Sequence, residues 1–219
     1  MAGKAVKVAQ LHQQLRMADD RVTTWVDQFV AGHLQPLPQT RDYELRVFDD
    51  GQPLFDWVKR HDRQSGLSRV LATTDFPFRV YTATPWYVTA GTLRLPWDRY
   101  NRADRPWASQ PQTINEVGSI YTIQGFDLNY AGVILGPSVT YSPKTHQIEL
   151  LPEKFEDQTA FRQRKRHDLA SLPQAQLALV KHVLNILLKR GRLGLGLYAV
   201  DPVLEVQLLK LAHQHGEDY

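Results

Sequence analysis

Residues 115–136 read NEVGSIYTIQGFDLNYAGVILG, and this stretch decides how the rest of the sequence is interpreted. It contains two apolar runs, 117–120 and 131–135, separated by a polar elbow at residues 122–127. Short apolar runs bounded by turn residues are typical of strands buried on both faces of a parallel sheet. Polar residues beside such a strand are where α/β proteins often hold a ligand. From periodicity alone, a core strand with an ordinary turn is the favoured interpretation.

The composition is that of an ordinary globular domain. The chain has 219 residues, of which 42% are hydrophobic and 22% charged, which suits one large domain. The absence of cysteine excludes a disulfide framework and a cysteine-based nucleophile or metal site. No signal peptide is evident, and no segment approaches the roughly 18 apolar residues of a membrane span. We therefore expect a cytoplasmic protein with no membrane partner, whose net charge of +3 permits phosphate binding without requiring it.

Strand and helix patterns alternate along the chain and predict a largely parallel α/β sheet with flanking helices. The predicted helices lie at about 20–30, 53–63 and 174–189 and from 202 onward, and the predicted strands at 43–48, 68–74, 131–135 and 195–200, with a hairpin or edge strands near 139–152. Gly191, Gly194 and Gly196 are expected to end the helix at 174–189. The whole of 1–219 is interpreted as one domain, with 1–10 as an arm or strand, 76–112 as an insertion rich in proline and aromatic residues, and 203–219 as a helix with a frayed tail.

The sequence lacks the usual nucleotide-binding motifs. A phosphate loop requires G-x-x-x-x-G-K-[ST], so that backbone amides and a lysine surround the phosphates, and no segment matches. Asp49 and Asp50 end a predicted strand as magnesium-binding acids do, but without a phosphate loop a strand-to-turn interpretation is favoured. The glycines at 191–196 follow a helix, whereas a dinucleotide fingerprint follows a strand. The eight histidines are scattered, so we expect no metal site.

Several cationic and aromatic residues have both a structural and a functional interpretation. Arg190 ends the long predicted helix, where a cation stabilises the helix dipole. Alternatively, its guanidinium is an arginine finger that reaches a γ-phosphate bound elsewhere. A weaker candidate is a basic cluster, which comprises Arg162, Arg164, Lys165 and Arg166. The favoured interpretation is a solvated surface, and the alternative is a contact with nucleic acid. The tryptophans of the insertion are expected to pack, with base stacking as the alternative.

Three segments, taken in order, resemble a known family. They are LHQQLR at 11–16, NEVGSIYTIQGFDLNYAGVILGP at 115–137 and HVLNILLKRGRLGLGLYAVD at 182–201. Together they resemble the Schlafen-type DNA/RNA helicase-like family, catalogued as a bacterial domain of unknown function related to superfamily-one helicases. The resemblance covers about 11–204. It implies the second, C-terminal RecA-like domain of that family, with helicase motifs IV, V and VI.

The resemblance assigns roles residue by residue. Gln14-Leu15-Arg16 is similar to the Gln-aromatic-Arg of motif IV, so Arg16 is expected near the γ-phosphate. Residues 121–129 look like the His-Thr-x-Gln-Gly-Leu-Glu-Phe-Asp of motif V, and 187–191 resemble the Leu-Leu-Thr-Arg-Gly of motif VI, with Arg190 as the finger. The residues implied to touch nucleic acid or to couple it to nucleotide are Gln14, Thr122, Gln124, Gly125 and Asp127.

Four of the departures from the family pattern change a polar or charged residue: Tyr121 stands for His, Asp127 for Glu, Asn129 for Asp and Lys189 for Thr. Asp127 is one methylene shorter than Glu, and Asn129 supplies no charge. Lys189 is expected to add positive charge beside Arg190. Together the changes predict weakened coupling between ATP and nucleic acid.

The family's phosphate-loop domain is not found in these 219 residues. In the family, ATP lies between the two RecA-like domains. The resemblance therefore implies ATP and Mg²⁺ binding only when a partner domain or protein carries the phosphate loop, and no ATP hydrolysis by this chain alone. DNA or RNA is the other implied partner. The alternative hypothesis is a non-catalytic nucleic-acid-binding or protein-interaction module that kept the fold.

Overall fold

A computed structural model of the chain describes residues 17–77, 86–97, 105–156 and 172–216. The α-helices of these ranges are α1 (Asp20–Ala31), α2 (Gly51–Ser65), α3 (Leu172–Leu188) and α4 (Pro202–Gly216). The strands are β1 (Glu44–Val47), β2 (Ser68–Ala72), β3 (Tyr87–Ala90), β4 (Leu93–Pro96), β5 (Val117–Gly118), β6 (Leu128–Leu135), β7 (Val139–Ser142), β8 (Gln147–Leu150) and β9 (Gly191–Ala199).

Five strands form one parallel sheet in the order β1-β9-β6-β2-β5. Two separate antiparallel hairpins, β3–β4 and β7–β8, lie outside it. The predicted parallel α/β sheet with flanking helices is confirmed, and this architecture is compatible with a RecA-like fold. None of the described helices is long and apolar enough to cross a bilayer.

Helices cover both faces of the sheet, and β6 lies between two apolar cores. Val133 and Leu135 belong to a buried cluster that includes α1 and α3, whereas Ile134 belongs to a second cluster that includes α2. Alternate residues of a strand point to opposite faces, so a strand buried on both sides is apolar without interruption. This is why the run at 131–135 predicted β6 correctly.

The ends of the first two helices follow local sequence signals. The Asp19 carboxylate accepts a hydrogen bond from the Arg21 backbone N–H and caps α1, and Gly32 ends it with φ at 108°. The Asp50 carboxylate caps α2 in the same way through the Gln52 N–H. Short polar side chains at the first position and glycine after the last are the usual helix boundaries. The strand-to-turn interpretation of Asp50 is therefore confirmed.

The helix ends before Gly191 as predicted, but β9 begins at Gly191 and not at the predicted residue 195. Gly191, Gly194 and Gly196 all lie within the strand. A Cβ atom on Gly194 would lie 2.5 Å from the Tyr130 ring, and one on Gly196 would lie 2.6 Å from Leu54 Cδ1. Side chains from β6 and α2 therefore pass directly over the β9 backbone, which only glycine permits.

The opening apolar run 117–120 forms a shorter strand than predicted. Strand β5 ends at Gly118 because Ser119 N–H donates to Thr122 Oγ1 (2.7 Å), which starts a turn. The described part of 76–112 contains the β3–β4 hairpin and two 3₁₀ turns. Trp97 and Trp107 are buried, so packing is the correct interpretation of these two rings.

Candidate functional site at the amino edge of the sheet

The elbow (residues 122–127) and Arg190 meet at one edge of the sheet. The elbow leads into β6 and Arg190 leads into β9. Because β6 and β9 are parallel neighbours, their amino ends lie side by side. The Leu128 N–H donates to the Arg190 carbonyl oxygen (3.0 Å), which joins the two segments directly. The segments that resemble motifs V and VI are thus in contact, although more than 60 residues separate them.

Arg190 is buried with its charged group against the elbow. Only 7% of the residue is exposed, and Nη1 donates to the Phe126 carbonyl oxygen at 3.2 Å. The same Nη1 lies 3.6 Å from Asp127 Oδ1. An ionised donor strengthens a hydrogen bond, and a nearby carboxylate offsets part of the cost of burying a cation. The structure therefore brings the predicted residues Arg190 and Asp127 together.

Within the elbow, some polar groups are used internally and others face outward. The Thr122 hydroxyl also donates to the Ser119 carbonyl oxygen (3.1 Å), so this side chain holds the turn. Ile123 is fully buried and anchors the elbow. Gln124 and Gly125 are exposed, and Gly125 has φ at 72° with open space where a Cβ would lie. Gln124 and Gly125 are accordingly the part of the elbow accessible to a ligand.

The backbone after Arg190 is tightly held. A Cβ on Gly191 would lie 2.0 Å from the Gly194 carbonyl oxygen, at a position where the β6–β9 register shifts. The Tyr43 hydroxyl donates to the Gly191 carbonyl oxygen (3.2 Å), and burial raises the pKa of Tyr43 well above its usual range. A neutral, buried tyrosine donor therefore fixes the first residue of β9.

Two departures from the family pattern have a structural explanation. Lys189 was expected to add charge beside Arg190, but its ammonium group binds Asp27 on α1. Asp27 also accepts from Asn185 Nδ2 at 2.9 Å, so this polar contact joins α1 to the last turn of α3. Asn129 Nδ2 donates to the carbonyl oxygens of Ser65 (2.8 Å) and Gly66 (3.2 Å). An aspartate at 129 could not donate these bonds to the end of α2.

Several predicted residues fall outside the described ranges: Gln14, Arg16, Arg162, Arg164, Lys165 and Arg166. The described chain begins at Met17, and the Ala18 N–H donates to the Arg192 carbonyl oxygen (3.0 Å). The described start of the chain therefore contacts the same edge as Arg190. Arg192 itself was not singled out by the sequence, although it is exposed beside this edge.

A second polar cluster missed by the sequence lies at the opposite, carboxyl edge. Asp75 follows β2 and is 6% exposed. Its Oδ2 accepts from Thr73 Oγ1 (2.7 Å) and from the Ser138 backbone N–H (3.0 Å). Burial raises the pKa of Asp75, against the opposing effect of these hydrogen bonds. In the described ranges, no group of His, Cys, Asp and Glu side chains is arranged to hold a metal ion.

The fold and the two joined motifs define a helicase-related domain. A sequence profile of the Schlafen group 3, DNA/RNA helicase domain matches residues 2–201, and the chain belongs to this family. An uncharacterised protein of Saccharomyces cerevisiae is 38% identical over 218 residues, which cover 91% of this chain and 47% of the relative. The chain thus spans about half the length of this curated relative. No solved structure matches the sequence.

Proposed function

We propose that this chain is the second RecA-like domain of a superfamily-one helicase-like ATPase, and that the amino edge is its surface for nucleotide and nucleic acid. The observation that carries the proposal is the direct contact between Arg190 and the elbow. Membership of a DNA/RNA helicase domain family supports it. Helicase coupling needs a phosphate-sensing cation that is joined to a nucleic-acid contact, and we assign these two roles to Arg190 and the elbow, which are in contact.

Arg190 has the chemistry of an arginine finger. A guanidinium is always charged and can bind two oxygens of a transferring phosphoryl group, which stabilises the charge of the transition state. ATP and Mg²⁺ come with a partner domain that carries the phosphate loop, so the isolated chain does not hydrolyse ATP. Arg16 is proposed as the second cation for the γ-phosphate.

The contacts of Arg190 suggest how nucleotide and nucleic acid communicate. When Arg190 engages a phosphate, it exchanges its contacts with the Phe126 carbonyl oxygen and Asp127 for phosphoryl oxygens. The elbow then loses one of its attachments to β9. Gln124 and Gly125 are at its exposed tip and are proposed to contact the nucleic-acid backbone. The basic cluster at 162–166 and Gln14 are proposed to extend that contact.

Salt-dependent binding tests the nucleic-acid part of the proposal. We expect the purified chain to bind single-stranded DNA or RNA in fluorescence anisotropy, with an affinity that falls steeply as salt rises, because phosphate contacts release counterions. No binding at low salt would remove the nucleic-acid role. ATP turnover by the chain alone, if abolished by Arg190→Lys, would contradict the requirement for a partner domain.

The burial of Arg190 favours a second candidate function, a module that binds nucleic acid or protein without catalysis. In this alternative the 7% exposed guanidinium is a permanent structural contact of the elbow. Adding the phosphate-loop domain of a Schlafen group 3 helicase distinguishes the two. If Arg190 is an arginine finger, this chain should stimulate ATP hydrolysis by the added domain, and Arg190→Lys should abolish the stimulation. If the chain is a non-catalytic module, it should not stimulate ATP hydrolysis.

A further inference from the structure

Three cations flank the start of β9, and two of them are bound within the fold. Lys189 pairs with Asp27, and Arg190 contacts the elbow through the Phe126 carbonyl oxygen. Arg192 is exposed, and its side chain makes no hydrogen bond, ion pair or ring contact with the described residues. Its guanidinium is therefore the most accessible of the three.

The backbone beneath Arg192 is fixed even though its side chain is exposed. The Arg192 carbonyl oxygen accepts from the Ala18 N–H (3.0 Å). The preceding residue, Gly191, accepts from the Tyr43 hydroxyl and packs so closely that a Cβ would lie 2.0 Å from the Gly194 carbonyl oxygen. A side chain projecting from an ordered strand loses less freedom on binding than one on a loop.

The cost of binding a phosphate differs between Arg190 and Arg192. Arg190 must give up a carbonyl contact and the nearby carboxylate of Asp127 before it can bind another anion. Arg192 has no such side-chain contact with the described residues to give up. A guanidinium in water still binds phosphate oxygens through two parallel N–H donors.

We propose that Arg192 is a further phosphate-binding residue of the amino edge, which binds a phosphate in the isolated chain while Arg190 remains a positioning residue of the elbow. This rests on the proposed function, since it names a residue of the same surface. The shared ligand chemistry is a phosphate group, supplied either by a nucleic-acid backbone or by a nucleoside triphosphate.

The test compares Arg192→Gln with Arg94→Gln, which removes the same charge from another exposed arginine. Arg94 lies on β4, in a hairpin outside the parallel sheet, and stacks on the Tyr87 ring, 3.7 Å from its centroid. Binding of a fluorescent oligo(dT) is measured by anisotropy across a salt series, and ATP binding to the same variants is measured by calorimetry. Thermal melts check that both variants fold.

We expect Arg192→Gln to weaken oligo(dT) binding about 5- to 10-fold at low salt and to reduce the slope of log K against log salt by about one, as the loss of one phosphate contact predicts. Arg94→Gln should change the affinity less than about 2-fold, the size expected when only long-range attraction is lost. Arg192→Lys should retain the salt slope, because it retains the charge.

The two ligands identify the source of the phosphate. A loss confined to oligo(dT) supports a nucleic-acid contact, and a loss confined to ATP supports a nucleotide contact. Equal affinities of Arg192→Gln and Arg94→Gln for both ligands would overturn the assignment of Arg192 while leaving the proposed function intact. If the unsubstituted chain binds neither ligand at low salt, both proposals fail.

Discussion

The two edges of the parallel sheet differ in charge and in how their polar groups are used. At the amino edge, Arg190 contacts the elbow, and Arg192 and Gln124 are exposed. At the carboxyl edge, Asp75 is buried and accepts hydrogen bonds from the segments that follow β2 and β6. One edge thus presents an exposed cation, Arg192, beside an exposed turn, whereas at the other edge the carboxylate of Asp75 is buried and bonded to its own loops.

This difference shows why edge position alone does not identify a site. Open α/β sheets usually bind ligands beyond the carboxyl ends of strands, where the connections of neighbouring strands leave in opposite directions. That point lies between β2 and β6, because the chain runs from β2 outward to β5 and from β6 toward β9. Here the Gly136 N–H donates to Thr73 Oγ1 (2.8 Å), and Asp75 accepts from Thr73 and from the Ser138 N–H. The polar groups at this point are therefore bonded to one another, and the candidate site lies at the other edge.

The largest predicted effect comes from crowding the amino edge. Gly191→Ala places a methyl group 2.0 Å from the Gly194 carbonyl oxygen, and backbone atoms cannot move aside. We expect a loss of about 3 kcal/mol in the free energy of unfolding, the upper range for overpacking, measured by urea denaturation. Gly136→Ala at the carboxyl edge is the comparison. Its new Cβ would lie 2.4 Å from Asp75 Oδ2, a side-chain atom that yields more easily than backbone at the cost of its hydrogen bonds, so a smaller loss is expected. A larger loss for Gly136→Ala would contradict this ranking.

The next effect concerns the buried cation. Arg190→Met removes the donor to the Phe126 carbonyl oxygen and leaves Asp127 without its nearby guanidinium. We expect a loss of about 2 kcal/mol, because a hydrogen bond to a charged group contributes about 1.5–3 kcal/mol. Urea denaturation gives the loss, and hydrogen exchange of the elbow amides shows whether the elbow loosens first. Unchanged exchange at 122–128 would show that Arg190 does not hold the elbow.

At the carboxyl edge, Asp75 predicts a pH dependence of stability. Burial raises the pKa of this carboxyl above 3.8 in the folded protein, so the folded state holds the proton more tightly than the unfolded chain does. The favourable contribution of Asp75 to the free energy of unfolding is therefore fully present below the pKa of the unfolded chain. It is lost as the pH rises through the raised pKa of the folded state.

The substitution Asp75→Asn should remove this loss of stability at higher pH, because an amide does not ionise. We expect the stability difference between variant and unsubstituted protein to move in favour of the variant as the pH rises from about 4 to about 7, because only the unsubstituted protein must ionise a buried carboxyl. Urea denaturation across this range measures it. A difference that does not depend on pH would mean that the pKa of Asp75 is not raised.

The smallest effect is expected at the contact between α1 and α3. Asp27 binds both Lys189 and Asn185, and its side chain is 53% exposed, whereas that of Lys189 is 11% exposed. Exposed ion pairs contribute about 0.2–1 kcal/mol, so a double-mutant cycle of Asp27→Asn and Lys189→Met should give a coupling energy of about 0.5 kcal/mol. The coupling should shrink at 1 M salt. A coupling above about 2 kcal/mol would indicate that Lys189 is more than a surface contact.

The sequence predicts those parts of the fold that depend on local signals. The approximate extents of α1 and α2, the turn at Asp50 and the buried strand β6 could all be predicted, because each needs only neighbouring residues. The need for glycine at 194 and 196 in β9 could not be predicted, because it comes from side chains of another strand and of a helix that pass close to the backbone there.

At the candidate site too, contacts between residues far apart in sequence could not be predicted from local signals. Arg190 and the elbow were identified by resemblance, but their contact and the partners of Lys189 and Asn129 join residues far apart in sequence. Asp75 had a weak local signal, a carboxylate just after a buried strand. Nothing local indicated that its partners come from the loop after β6.

The most direct test of the central claim, that the amino edge and not the carboxyl edge binds phosphate ligands, is a titration of the ¹⁵N-labelled chain with oligo(dT), followed by amide chemical shifts. We predict that the amides of residues 124–127 and 190–192 shift and that those of 73–75 and 136–138 do not. Shifts confined to 73–75 and 136–138 would contradict the claim.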